Sequence, residues 1–397
     1  MGFHLNSIDS LLDRISTSRV FINKEVLRPD YIPETLPHRE REIEKVALVL
    51  GASLQGVRPS NLFIYGLTGT GKTAVTKYVL RKLSEKGSER GVRIHWVYVN
   101  TRVDNTSYRV LSKIGEAIGA KIPFTGLSTA EVYRRVMNVI DAKQSIVVTV
   151  LDEIDYMVKR EGDEILYRLT RANEELSKAK ISIVGITNDI KFVEMLDPRV
   201  RSSLGEEEVV FPPYNAEQLR DILRQRARMA FREGAVGDDV ISLCAALAAR
   251  EHGDARRALD LLRVAGEIAD REGSEKVTED HVYRARNEIE RDRATEIIAT
   301  LPTHSKLILY ALLKIVEEGR EATTGEVYLA YRDIARRYGL EPVTQRRASD
   351  IISELDMVGI ISAVTINRGR YGKTRVIRLQ VSPEVVLETL SRDGITV

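Results

Sequence analysis

Residues 66–73, Gly66-Leu67-Thr68-Gly69-Thr70-Gly71-Lys72-Thr73, match the pattern G-x-x-x-x-G-K-[ST] at every fixed position. Glycines at these spacings let backbone N–H groups turn inward around phosphate oxygens, and a helix starting at the lysine adds the positive end of its dipole. In this pattern Lys72 reaches the β- and γ-phosphates and the Thr73 hydroxyl coordinates magnesium. The loop therefore predicts a site for a nucleoside triphosphate with Mg2+.

Four later segments supply the groups such a site needs. Ile146-Val147-Val148-Thr149-Val150-Leu151 reads as a buried strand ending in Asp152 and Glu153. Asp152 is expected to orient Mg2+ through its water shell, and Glu153 to activate the attacking water as general base. The apolar run 181–186 leads into Thr187-Asn188-Asp189. The Asn188 amide at that strand tip can position water against the γ-phosphate, although asparagine is also ordinary turn chemistry. Asp197-Pro198-Arg199-Val200-Arg201 sets two arginines far along the chain from the loop. Either Arg199 or Arg201 could be an arginine finger reaching a neighbour's nucleotide, or simply a surface ion pair. In Gly253-Asp254-Ala255-Arg256-Arg257, Arg256 sits at a helix start, where it could fold over the phosphates or remain a solvated basic turn.

The elements that must position these groups fall into three regions. Residues 1–213 alternate short apolar runs (62–65, 94–99, 146–151, 181–186) with amphipathic stretches, which predicts a parallel sheet covered by helices on both faces. Residues 214–293 have no strand-like run. They show helical spacing over 216–229, 238–251, 254–270 and 278–291, with Asp238 and Thr278 as N-caps and Gly253 and Gly273 as stops. Residues 294–397 give helical stretches at 302–318, 324–338 and 344–358, then alternating strands at 360–365 and 374–381 around a glycine-containing turn, the winged helix-turn-helix pattern. The fold class expected is α/β, with a P-loop core, an all-helical second region and a C-terminal winged helix.

Composition narrows the field. Of 397 residues, 43% are hydrophobic and 30% charged, which suits a globular protein of two or three domains. No apolar run approaches the roughly 18 residues of a membrane span, and the N-terminus lacks a signal-peptide pattern, so no membrane partner is expected. The single cysteine, Cys244, lies in an apolar helical stretch and reads as core; with no second cysteine the chain fits the cytoplasm. Net charge is only +2, so any nucleic-acid surface must be local.

Such a surface is found near the C-terminus. Between Val343 and Arg378 seven Arg/Lys face three acids. In a winged helix the third helix enters the major groove with its N-terminal residues toward the bases, here Thr344, Gln345, Arg346 and Arg347. Arg pairs bidentately with guanine and Gln with adenine. Arg368, Arg370, Tyr371, Gly372 and Lys373 form a flexible basic wing suited to minor-groove or phosphate contacts. Ile351, Ile352, Leu355 and Val358 are expected in the domain core.

The order of phosphate loop, Asp-Glu strand, Asn-tipped strand, distal arginine, helical lid with Gly-Asp-x-Arg, and winged helix resembles an AAA+ ATPase of the archaeal origin-recognition and cell-division-cycle type. Arg28-Pro29-Asp30-Tyr31-Ile32-Pro33, Pro37-His38-Arg39-Glu40, Phe211-Pro212-Pro213-Tyr214-Asn215 and Asn367-Arg368-Gly369-Arg370-Tyr371-Gly372-Lys373 extend the likeness over nearly the whole chain. The resemblance implies ATP or ADP with Mg2+, slow hydrolysis, and a nucleoid-associated cytoplasmic initiator. Its partners would be double-stranded origin DNA, the replicative minichromosome-maintenance helicase, and a second initiator molecule supplying the arginine finger. It also implies that the segment around Tyr31, Ile32 and Arg39 lines the adenine pocket, and that Tyr214 and Arg226 contact nucleotide. A helical insert at 104–126 would touch duplex DNA through Lys121, Pro123 and Thr125. By themselves, Tyr214 reads as plain core packing and Arg226 as a solvated face. The rival reading is a clamp-loader-like or regulatory AAA+ ATPase acting on protein partners.

Overall fold

The computed structural model describes residues 18–123, 125–367 and 373–395. The chain divides into two compact units between Val282 and Tyr283.

In the first unit β1 (Leu62–Gly66), β2 (Ile94–Asn100), β3 (Ile146–Asp152), β4 (Lys180–Thr187) and β5 (Glu207–Phe211) form a sheet in the order β2-β3-β4-β1-β5. All neighbouring pairs are parallel. Parallel strands need covering on both faces, and every residue of β3 is buried. On one face α1 (Glu40–Gly51) and α2 (Lys72–Glu89) place Val46, Leu50, Val75 and Leu80 against Ile64, Val148 and Val150. On the other, α3 (Ser107–Ile118), α4 (Thr129–Lys143), α5 (Ile154–Glu161), α6 (Glu164–Arg171) and α7 (Pro198–Leu204) surround Val97, Val147, Leu151 and Ile183. Each aliphatic side chain buried this way contributes about 1.5–3 kcal/mol. The strand β5 was not among the expected runs. It is an edge strand in which only Val209 and Phe211 are buried, so its apolar signal is weak.

The helical region follows with α8 (Ala216–Ala230), α9 (Asp238–Arg250), α10 (Ala255–Arg271) and α11 (Glu279–Thr300). A capping box between Asn215 and Gln218 opens α8. Asp238 is not the N-cap of α9: Gly237 is, and Asp238 and Asp239 occupy the first turn, where their charge favours the helix dipole. Gly253 and Gly273 adopt left-handed φ values of +68° and +73°, as helix stops require. The helix α11 runs unbroken past residue 293, where the sequence pattern suggests a regional boundary.

The second unit contains α12 (Thr303–Glu317), β6 (Ala322–Thr323), α13 (Thr324–Arg337), α14 (Gln345–Met357), β7 (Ile361–Asn367), β8 (Lys373–Leu379) and α15 (Pro383–Arg392). Its strands pair antiparallel in the order β6-β8-β7. Leu307, Leu309, Tyr331, Ile351, Ile352 and Leu355 form its core. Val358 does not join them: it follows the last turn of α14 and is 43% exposed. The sequence pattern predicts neither the strand β6 nor the helix α15.

Candidate nucleotide site and nucleic-acid interface

The sheet order brings the C-terminal ends of β1, β4 and β3 side by side, where open α/β sheets bind ligands. The loop after β1 turns directly into α2, whose first residue is Lys72. Gly71 is the N-cap at φ +90°, and Gly69 lies at φ +73°. A Cβ on Gly69 would run into the Asp254 carboxylate, so only glycine admits the lid this close. Ala255 N–H donates to the Gly69 carbonyl at 3.2 Å, tying the start of α10 to the phosphate loop.

The side chains converge on one another. Lys72 Nζ donates to the Gly66 carbonyl, the Leu67 carbonyl and Asn188 Oδ1, each at 2.7 Å. Burial pulls the Lys72 ammonium down to about 8, with Asp152 opposing the shift. Thr73 Oγ1 donates to Asp152 Oδ2 at 2.7 Å, and Tyr98 OH donates to the same oxygen at 2.8 Å. Asp152 Oδ1 accepts from the Glu153 N–H at 2.9 Å. Glu153 itself takes a left-handed φ of +55°, uncommon for a side-chain-bearing residue. Its Oε2 is buried without a hydrogen-bond partner among the described residues, and Arg102 Nη1 lies 3.9 Å away. A buried acceptor of this kind marks a position where a water or ligand proton is expected.

A single cavity of about 320 Å³ connects these groups to the N-terminal segment. Gly69, Thr70, Gly71, Lys72, Thr73, Asp152, Glu153, Asn188 and Arg256 line one part of it; Tyr31, Ile32, Tyr214 and Arg226 line the rest. Gly66, Leu67 and Thr68 do not line it; Gly66 and Leu67 act through the carbonyls that hold Lys72. Arg39 is also absent from the wall. It is 2% exposed and donates from Nε to the Thr70 carbonyl at 2.9 Å and from Nη2 to the Pro212 carbonyl at 2.6 Å. Its guanidinium lies 3.7 Å from the centre of the Tyr214 ring. Arg39 thus braces the loop against the segment leading into the lid. Arg226 is not a solvated face: it is buried, donates to the carbonyls of Val26 at 3.0 Å and Tyr31 at 3.2 Å, and stacks over the Tyr31 ring. Lys77, Tyr98, Ile222, Gln225 and Leu259 also line the cavity, and nothing in the sequence pattern marks them. They come from four separate segments, and no local motif links them.

Mg2+ fits the donors present. Thr73 and Asp152 offer hard oxygens 2.7 Å apart on the cavity wall. No cluster of three or more His, Cys, Asp or Glu suited to a metal exists among the described residues. Magnesium characteristically takes one or two protein oxygens and completes its shell with phosphates and water.

Arg199 and Arg201 do not reach this cavity. Arg199 is exposed and chelated by its neighbour Asp197 through Nε at 3.1 Å and Nη2 at 3.2 Å, and Arg201 is exposed on α7. Within one chain neither completes the site.

On the second unit, Thr344 caps α14 by accepting the Arg347 N–H at 3.3 Å. Arg347 pairs with Glu354 at 2.8 Å, while Gln345 and Arg346 are exposed. Arg375, part of the local basic excess, is engaged inward: it donates to Ser353 Oγ at 2.8 Å and Ser349 Oγ at 2.6 Å, fastening β8 to α14. Arg368, Arg370, Tyr371 and Gly372 lie outside the described residues, and Lys373 begins β8. In the first unit Lys121, Pro123 and Thr125 are exposed beyond α3, with the Pro123 carbonyl accepting from Tyr108 OH at 2.6 Å. No described helix is long and apolar enough to cross a membrane.

Comparison with known proteins agrees with this architecture. Residues 57–193 match the AAA domain family, residues 220–287 the Cdc6 AAA+ ATPase-type lid domain, and residues 296–389 the CDC6 C-terminal winged helix domain. The ORC1-type DNA replication protein 1 of Sulfurisphaera tokodaii is 59% identical, with 97% of this chain and 96% of that protein covered. The solved structure of the Aeropyrum pernix ORC1 protein in complex with DNA is 54% identical, covers 95% of this chain and 98% of its own, and superposes with a TM-score of 0.86. The A. pernix ORC2 protein, at 24% identity over 95% of this chain and 100% of its own, with a TM-score of 0.63, shares the fold. The parallel-sheet core, helical lid and C-terminal winged helix are therefore those of an AAA+ protein, and the chain belongs to the ORC1-type DNA replication protein family.

Proposed function

We propose that this chain is an ATP-controlled replication initiator that recognises origin duplex DNA and recruits or loads the replicative minichromosome-maintenance helicase. The observation that carries the reading is the shared cavity: Arg256 of the lid lines the same space as Lys72, Asp152, Glu153 and Asn188 of the core. A group on the lid that meets the phosphate end gives ATP and ADP a means of differing in their hold on the lid.

In this reading Lys72 and the loop amides bind the phosphates, while Tyr31, Ile32, Tyr214 and Arg226 surround the rest of the nucleotide. Arg39 holds the loop and Tyr214 in register. Thr73 and Asp152 hold Mg2+, which when bound supplies charge neutralisation on the phosphates. Glu153 takes a proton from the attacking water at its buried Oε2, and Asn188, fixed by Lys72, orients that water. Arg199 or Arg201 of a second initiator molecule completes the site, so hydrolysis by an isolated chain is slow. Gln345 and Arg346 read bases, Thr344, Arg347 and the wing hold the backbone, and Lys121, Pro123 and Thr125 touch the duplex from the core. The cell compartment that fits is the nucleoid-associated cytoplasm.

Footprinting on duplex carrying the host's origin repeats, against shuffled duplex at the same salt, tests the proposal. Protection confined to the repeats is expected. Equal protection of both would remove origin recognition and favour a clamp-loader-like or regulatory role on protein partners.

A further inference from the structure

The geometry points to Tyr98 as a positioning residue for Asp152, and through it for magnesium; the inference rests on the nucleotide site proposed above. β2 and β3 run parallel with Tyr98 opposite Val150 and Asn100 opposite Asp152. Side chains two apart on a strand share a face, so Tyr98 and Asp152 stand diagonally on the same side of the sheet. The phenol spans that diagonal and donates to Asp152 Oδ2 at 2.8 Å.

The carboxylate is thereby held from three directions. Glu153 N–H fixes Oδ1, and the hydroxyls of Thr73 and Tyr98 both fix Oδ2. Two of these donors are built into any strand-end aspartate beside a phosphate loop of this type; the third comes from the neighbouring strand. The Tyr98 ring is itself clamped: Lys77, one helical turn after Thr73 on α2, sets its Nζ 3.7 Å from the ring centre. Both Tyr98 and Lys77 line the cavity. A partner that orients a metal-binding carboxylate sets metal affinity without touching the metal. The Tyr98 hydroxyl is committed to Asp152, so its effect runs through that carboxylate.

The test uses the full chain and a fluorescent ADP analogue, titrated with Mg2+ and, separately, in excess chelator. Tyr98→Phe keeps the ring and its contact with Lys77 and removes only the hydroxyl. The Mg2+ concentration giving half-maximal tightening should rise roughly ten- to a hundredfold, as expected when a partner that orients a metal-binding carboxylate is lost. Affinity in chelator should stay within about twofold, the melting temperature without nucleotide should be unchanged, and Tyr98→Phe should add nothing in an Asp152→Asn background. An unchanged Mg2+ midpoint overturns the inference, as does an equal loss with and without metal, which is a structural effect only. A wild-type chain that binds the analogue equally with and without Mg2+ refutes the underlying metal site, and the inference with it. That result is distinct because it appears before any substitution is made.

Discussion

The phosphate end of the cavity and the start of α14 are both polar and both rich in charged side chains, yet they are built in opposite ways. At the cavity nearly every polar group already has an internal partner. Lys72 is held by three oxygens, Asp152 by three donors, and Arg39 and Arg226 by backbone carbonyls. At α14, Arg375 of β8 braces the helix from beneath and Arg347 pairs with Glu354 along it, while Gln345 and Arg346 extend into solvent. A site for one small ligand gains from fixing its groups beforehand, because less ordering remains to be done on binding. A surface that meets duplex DNA has its readers exposed and relies on the helix beneath them for rigidity.

The largest expected effect lies at Glu153, whose buried Oε2 has no hydrogen-bond partner among the described residues. Glu153→Gln should lower single-turnover ATP hydrolysis by about 10²–10⁴-fold while leaving nucleotide affinity intact, measured by phosphate release on DNA-bound protein. A change of less than about fivefold would mean that Glu153 is not the base. Lys72→Ala should weaken nucleotide binding by roughly 1.5–3 kcal/mol and also release Asn188, detectable by calorimetry with ADP. Arg346→Ala should cost about 1–3 kcal/mol on the preferred duplex and almost nothing on shuffled duplex. Equal losses on both would turn Arg346 into a phosphate contact and erase the distinction between readers and braces. Arg375→Ala should act the other way: roughly 1 kcal/mol of stability lost from the second unit for the severed serine contacts, with all DNA sequences affected alike. Its melting transition and binding isotherms can be read on the same sample.

The contrast also explains what was legible in the sequence. The phosphate loop, Asp152, Glu153 and Asn188 announce themselves because each follows an apolar run at a fixed place in a contiguous motif, and Gly69 to Thr73, Asp152, Glu153 and Asn188 line the cavity. The bracing residues do not. Arg39 finds Thr70 and Pro212 at separations of 31 and 173 residues, and Arg226 finds Val26 at 200. Nothing in local spacing tells such an arginine from a solvated one; only the family resemblance drew attention to them. Tyr98 was hidden in a strand whose aromatic residues look like ordinary β-formers. Charge counting misjudged Arg375 for the same reason: a count does not see the serines on the neighbouring helix. The strand β5 escaped because its first two residues are glutamates, which leaves an apolar run of only three.

The account stands on the claim that the cavity controls a DNA-reading protein. The most direct measurement is the affinity of the full chain for origin-repeat duplex and for shuffled duplex at one salt concentration, with Glu153→Gln protein loaded with ATP and then with ADP. The account predicts a preference for the repeats in both forms, affinities that differ between the two nucleotides, and loss of that difference in Lys72→Ala. Identical affinities with ATP, with ADP and in Lys72→Ala would contradict it, because the cavity and the DNA-binding surface would then work independently.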